Sequence, residues 1–331
     1  MSFVLEVNEA WPILNRSFMS KMRQIPQLLK AGDSIAIVAT ARKISEAELT
    51  PAIQLFESWG LRVLLPKNIY AEDHQFAGTD EQRATDLQWA IDNEEVKAVV
   101  CARGGYGTVR IVDKIDFSRF AKNPKWVVGY SDVTVLHSHI HTSLSIPTLH
   151  ATMPLNIPAD AVEKAYPSTT ALRKALFEGK SECQTDKHDL NRAGEATAKV
   201  VGGNLSILYS LCGSASDIDT DGKILFIEDL DEYLYHIDRM MQNLKRTGKL
   251  KGLKGLIVGG MTDMHDNTIP FGKTAEEIVM DAVKEYDYPV CFNAPVGHIG
   301  TENKALILGD EVRMTCNQDG TFTLLQGVSK M

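Results

Sequence analysis

Ser131 stands in "WVVGYSD", where an apolar run of strand type gives way at once to a segment with helical spacing. In parallel α/β sheets, catalytic groups gather at the carboxyl ends of strands, beside a crevice. Gly129, two residues earlier, gives the backbone the freedom that a sharp strand-to-helix turn needs. The spacing approaches a nucleophile elbow, G-x-S-x-G, with Val133 where the last glycine would stand. A plainer use of Ser131 is as N-cap of the helix "DVTVLHSHIH". A serine hydroxyl is a weak nucleophile unless a base takes its proton and a third group orients that base. Among nine histidines, His298 is the candidate base, because "APVGHIGTEN" follows a strand and flanks the ring with Gly297 and Gly300. For the acid, "KILFIEDLDE" carries an apolar strand out to Glu228 and Asp229. The competing use of these carboxylates is at a helix start, favoured by the macrodipole, which suits Asp231 and Glu232 equally.

Two further clusters have chemical uses. "RGGYGT" places Gly104, Gly105 and Gly107 between a strand and a helix, a position suited to cradling phosphate. Its spacing is not G-x-G-x-x-G, and no Lys-Ser/Thr follows, so a dinucleotide site is disfavoured. The same glycines offer backbone N–H groups which, with that of Asp132, would hold a developing oxyanion. "HSHIHTS" and the nearby His150 raise metal binding. On a helix only His137 and His141 share a face, His139 does not, and no carboxylate completes an H-E-x-x-H set. No metal is expected.

These residues need a scaffold, and the chain supplies one. "SIAIVAT", "LRVLL", "VKAVVCA", "KWVVG" and "IPTLH" are short apolar runs suited to buried parallel strands. Between them lie helical patterns. One is opened by Ser45 with Glu48 three residues on and closed by Gly60; another is opened by Thr79, with Leu87 and Ile91 on one face. This alternation predicts a doubly wound parallel sheet. After a connection over about 161–195, the rest mixes helices near 204–211, 233–249 and 274–286 with closely spaced late strands. That pattern predicts a distinct α/β domain with mixed strands, some antiparallel. The expected domains are therefore 24–160 and 196–331.

At 331 residues the chain is long for one core and comfortable for two. A net charge of −8 argues against a nucleic-acid binder, whose phosphate contacts need a basic face. No apolar run is long enough for a membrane span. Five scattered cysteines without a C-x-x-C pair fit a reducing, cytoplasmic setting better than a disulfide framework. Met19 and Met22 are alternative translation starts to Met1.

Taken together, "GDSIAIVAT", "CARGGYGTVR", "VVGYSDVTVL", "GGNLSIL", "KILFIEDLDEYLYHIDRMMQNL" and "VGHIGTENKALILG" resemble the LD-carboxypeptidase family of serine peptidases, which also holds the microcin-immunity hydrolases. The resemblance runs from about Gln24 to near the end of the chain. It implies a flavodoxin-like N-terminal half joined to a distinct C-terminal half, with Ser131 as nucleophile, His298 as base and Glu228 orienting it. It implies an oxyanion hole from the N–H of Asp132 and of Gly104 or Gly105. The implied reaction is release of terminal D-alanine from murein tetrapeptides without a cofactor. The alternatives are hydrolysis of peptidyl- or aminoacyl-nucleotide toxins, or non-catalytic binding of a nucleotide or peptide. Family members commonly pair, so a homodimer is implied too. A carboxypeptidase must also hold its substrate's free carboxylate. Arg103, at the mouth of the glycine loop, is the candidate for that task, with a surface or interdomain ion pair as its plainer use. Asn204, in the helix-opening "GGN", is a second candidate substrate contact.

Overall fold

The computed structural model describes residues 25–327, so Met19 and Met22 lie outside the described residues. In the first half, β1 (Ser34–Val38), β2 (Arg62–Leu64), β3 (Val96–Cys101), β4 (Trp126–Gly129) and β5 (Thr148–His150) run parallel in the order 2-1-3-4-5. Helices α1 (Glu46–Ser58), α2 (Asp80–Asp92), α3 (Ser118–Lys122) and α4 (Thr134–Leu144) lie in its connections. The strand order reverses between β1 and β3, and such a switch point opens a crevice at the carboxyl ends of the strands. Every residue of β1 is buried. Ile35 and Ile37 face one apolar cluster while Ala36 and Val38 face another, as expected for a sheet covered on both sides. Both predicted helix starts form full capping boxes, Ser45 with Glu48 and Thr79 with Gln82.

The chain then forms α5 (Pro167–Glu178) and β6 (Lys180–Thr185), followed by β7 (Gly194–Asn204), α6 (Leu205–Leu211), β8 (Ile224–Leu230), α7 (Leu234–Arg246), β9 (Gly255–Thr262), α8 (Ala275–Val283) and β10 (Val290–Cys291). Last come β11 (Leu306–Leu308), β12 (Glu311–Cys316) and β13 (Phe322–Gly327). The second sheet has the order β10-β9-β8-β7-β12-β13-β6. Strands β7 to β10 are parallel because a helix separates each from the next; the remaining pairings are antiparallel. Strand β6 has no apolar run to announce it: "KSECQT" alternates buried and exposed residues along a sheet edge.

The two halves are interlocked. Strand β11 leaves the C-terminal half and pairs antiparallel with β5, its Leu306 opposite His150. Helix α4 docks on β7 at Gly203, where a β-carbon would stand 2.5 Å from Thr134 Oγ1. That hydroxyl in turn accepts the N–H of Asn204 at 3.0 Å. This contact brings the start of α4, just after Ser131, up to the strands that carry the candidate acid Glu228.

Candidate active site

Ser131 follows β4 directly and has a left-handed backbone, φ 63°. A non-glycine residue rarely adopts that conformation, and it is typically found where a site holds a side chain in a set direction. Its side chain makes no capping bond, so the N-cap use is not realised. The turn depends on Gly129, where a β-carbon would meet Val133 Cγ2 at 2.8 Å. Val133 is fully buried and packs over Gly129, which explains a bulky residue where an elbow would carry its last glycine. His137 clamps the turn by bonding the Gly129 carbonyl at 3.0 Å.

The glycine loop after β3 lies against this serine. A β-carbon on Gly104 would stand 2.8 Å from Ser131 Cβ, 2.9 Å from its Oγ and 3.4 Å from the Asp132 nitrogen. The N–H groups of Gly104 and Gly105 find no acceptor among the described residues. The Asp132 carboxylate points the other way, accepting the Thr108 N–H at 2.9 Å.

Strand β8 delivers the candidate acid. Glu228 is fully buried, and its Oε2 accepts Nδ1–H of His298 at 2.6 Å and the His298 backbone N–H at 3.2 Å. The histidine loop is held on three sides. Asn303 Oδ1 accepts the Gly297 N–H at 2.9 Å, Thr262 Oγ1 donates to the His298 carbonyl at 2.8 Å, and the Tyr130 ring meets the imidazole edge-on at 4.8 Å. Gly297 is required there: at φ 112° its β-carbon would fall 2.6 Å from Glu228 Oε2. Among the described residues no hydrogen bond joins His298 Nε2 to Ser131 Oγ, so the serine–histidine bond is open in this structure.

The electrostatics follow from burial against pairing. Burial alone would raise the Glu228 carboxyl, but its histidine neighbours outweigh burial and hold it down at about 2. Burial likewise works against the His298 imidazolium, and the hydrogen bond and charge of Glu228 reverse the balance, so the ring is raised above its ordinary value. Asp229, next along, is pushed up to about 7 by burial and by the charge of Glu228. It faces away from His298 and accepts from Asn204 Nδ2, Ser206 N–H and Leu230 N–H. The geometry thus sets Glu228 against His298 and Asp229 against the start of α6.

The other candidates have different partners. Asn204 caps α6 through Oδ1 and donates to Asp229, with little of it exposed. Arg103 donates to the Lys43 carbonyl at 3.1 Å and lies 3.9 Å from Glu48 Oε1, directed at the start of α1. His139 bonds Ser216, His141 bonds Thr148, and burial holds His137 down at about 3. His150 was grouped with these in the sequence, but the fold places it under the acid: its Nε2 is 3.9 Å from Glu228 Oε1, both side chains fully buried. At that distance the contact is electrostatic, since Oε1 and both ring nitrogens lack hydrogen-bond partners among the described residues. His150, Tyr130, Thr262 and Asn303 carry no local signal for these roles, because each acts on a residue far away in sequence.

Comparison with known proteins agrees along the chain. Residues 35–151 match the LD-carboxypeptidase N-terminal domain and residues 197–314 the LD-carboxypeptidase C-terminal domain. A probable murein peptide carboxypeptidase of Bacillus subtilis is 36% identical over 313 residues, covering 92% of this chain and 95% of that protein. The crystal structure of a muramoyltetrapeptide carboxypeptidase from Oxalobacter formigenes superposes with a TM-score of 0.80 at 26% identity, covering 90% of this chain and 100% of that one. A microcin C7 self-immunity protein shares the fold at TM-score 0.78 and 18% identity, covering 91% and 98%. With both domain matches in register along one chain, and a relative aligned over nearly its full length, this protein is an enzyme of the LD-carboxypeptidase family.

Proposed function

We propose that this enzyme is a serine LD-carboxypeptidase that removes the terminal D-alanine of murein tetrapeptides through Ser131, His298 and Glu228. The observation that carries the reading is the buried Glu228–His298 pair at 2.6 Å, in a fold that brings the same histidine against Tyr130, the neighbour of Ser131. Closure of the serine–histidine gap is expected on substrate binding, since catalytic hydrogen bonds are often long in unliganded enzymes. Nε2 of His298 then takes the Ser131 proton as Oγ attacks the peptide carbonyl. Glu228 holds the Nδ1–H tautomer and stabilises the imidazolium. The oxyanion rests on the N–H of Asp132 and one from the Gly104–Gly105 pair. The imidazolium protonates the departing D-alanine nitrogen, leaving an ester on Ser131. Water, deprotonated by the same ring, hydrolyses that ester and restores the hydroxyl.

The murein substrate is supported by the relatives' activity, and a cytoplasmic setting by five cysteines that are all unpaired. Incubation with a tetrapeptide ending in D-alanine, beside a peptidyl-nucleotide conjugate, tests the reading. Release of D-alanine by the wild type and none by Ser131→Ala is the expected result. Turnover of the nucleotide conjugate alone would move the enzyme to the toxin-hydrolase branch, and equal turnover by Ser131→Ala would remove the serine from the mechanism.

A further inference from the structure

A carboxypeptidase recognises a free carboxylate one residue beyond the bond it cuts, and a guanidinium is the side chain best shaped to do so. The fold brings several arginines near the glycine loop, and most are already engaged. Arg83 and Arg110 are both paired with Asp80, and Arg103 is bonded to the Lys43 carbonyl beside Glu48. Arg42 is different. It is exposed, and among the described residues its guanidinium makes neither an ion pair nor a hydrogen bond. Its backbone is nevertheless fixed. Arg42 forms a bridge with Phe76, the Ala41 carbonyl accepts from Ala77 at 3.1 Å, and Lys43 N–H donates to Gln75 at 3.1 Å.

The position of this side chain is specific. Arg42 leaves the carboxyl end of β1 and crosses the switch point onto the loop that follows β3. There a β-carbon on Gly105 would stand 2.6 Å from Arg42 Cδ, 2.7 Å from Cγ and 2.8 Å from Nε. The preceding glycine, Gly104, makes the equivalent close approach to Ser131 Oγ. Two adjacent glycines, their α-carbons about 3.8 Å apart, therefore leave their β-carbon space to the nucleophile on one side and to the Arg42 side chain on the other. The leaving residue of a carboxypeptidase substrate has the same span, one residue from scissile carbonyl to terminal carboxylate. Glycine at both positions leaves room for that residue to lie along the loop. The positive charge also reaches the buried Asp132 carboxyl without pairing with it, so the guanidinium stays available.

The geometry points to Arg42 as the residue that binds the substrate's terminal carboxylate, with the Gly104–Gly105 step setting the distance from Ser131. This rests on the carboxypeptidase reading above and adds the group that makes the enzyme act at a chain end.

The test compares wild type, Arg42→Gln and Arg42→Lys on a tetrapeptide ending in D-alanine and on the same peptide ending in D-alanine amide. Wild type should prefer the carboxylate. Arg42→Gln should raise KM for the acid roughly 10- to 100-fold, the loss expected for a charge-assisted contact. It should leave kcat and the amide's kcat/KM nearly unchanged, bringing the acid-to-amide ratio toward one, and Arg42→Lys should fall between. The ratio is taken within each preparation, so a smaller folded fraction cancels. An unchanged KM and ratio in Arg42→Gln would overturn the assignment, as would a loss confined to kcat. If the wild type cleaves neither peptide, the carboxypeptidase reading falls and this subsite falls with it.

Discussion

Replacing Glu228 by glutamine keeps the side-chain volume and removes one buried charge. In the wild type, burial works against the His298 imidazolium, and the bond and charge of Glu228, with a smaller contribution from Asp229, hold the ring above its ordinary value. In Glu228→Gln burial remains and the largest opposing charge is gone, so the ring should titrate lower than in the wild type. In the proposed mechanism the neutral ring is the base, so the acidic limb of kcat/KM should move to lower pH in the variant, even as its plateau collapses. The plateau should fall roughly 10³- to 10⁴-fold, since the imidazolium formed during attack no longer faces an anion; the aspartate-to-asparagine change in a serine protease costs about 10⁴. The stability effect has two edges. Glu228 is lowered from 4.5 to about 2, so its contribution is present above pH 4.5 and lost as pH falls through about 2. His298 is raised above 6.5, so its contribution is full below pH 6.5 and lost as pH rises through its folded value. Both describe one ion pair, to be counted once. The wild type should therefore exceed the variant most between pH 4.5 and 6.5. A fall from 4.5 to about 2, at about 1.36 kcal/mol per pH unit, puts the difference on the order of 3 kcal/mol. The assays are a kcat/KM profile from about pH 5 to about pH 9 and denaturant unfolding at both ends of that range. An acidic limb that stays in place, or a plateau within about tenfold of wild type, would refute the reasoning.

Gly104→Ala should add a methyl 2.8 Å from Ser131 Cβ and displace the serine; kcat should drop roughly 10²-fold with the fold retained by circular dichroism, and a near-normal kcat would contradict that contact. His150→Phe should keep the packing against Phe226 but remove the ring that helps hold the Glu228 carboxyl down. That carboxyl then rises, and the acid unfolding midpoint should move to higher pH; an unmoved midpoint would show that His150 has no hold on Glu228.

What could be foreseen in the sequence was what is written locally. The apolar run Ser34–Val38 and the capping box of Ser45 and Glu48 depend on neighbours in the chain, and both form as expected. Ser131, Glu228 and His298 stood out because each ends or follows an apolar strand. The left-handed backbone of Ser131 was hidden, because it is imposed by Val133 packing on Gly129 and by His137 on the Gly129 carbonyl. Strand β6 was hidden because an edge strand needs only alternation, and "KSECQT" alternates without large apolar residues. The crossing of β11 into the first sheet was invisible, since "LIL" reads the same whichever sheet it joins. Arg103 and Arg42 are both arginines at strand ends. Only tertiary contacts show that one is bonded to the start of α1 and the other lies over Gly105, unpaired among the described residues.

The proposed mechanism requires that Ser131 Oγ is the atom that becomes acylated. Reaction with a serine-directed organophosphonate, followed by peptide mapping, reads this directly. One adduct on the peptide containing Ser131, absent in Ser131→Ala and formed at least about 10²-fold more slowly in His298→Ala, is the predicted result. An adduct on a different residue, or undiminished labelling of Ser131→Ala, would contradict it.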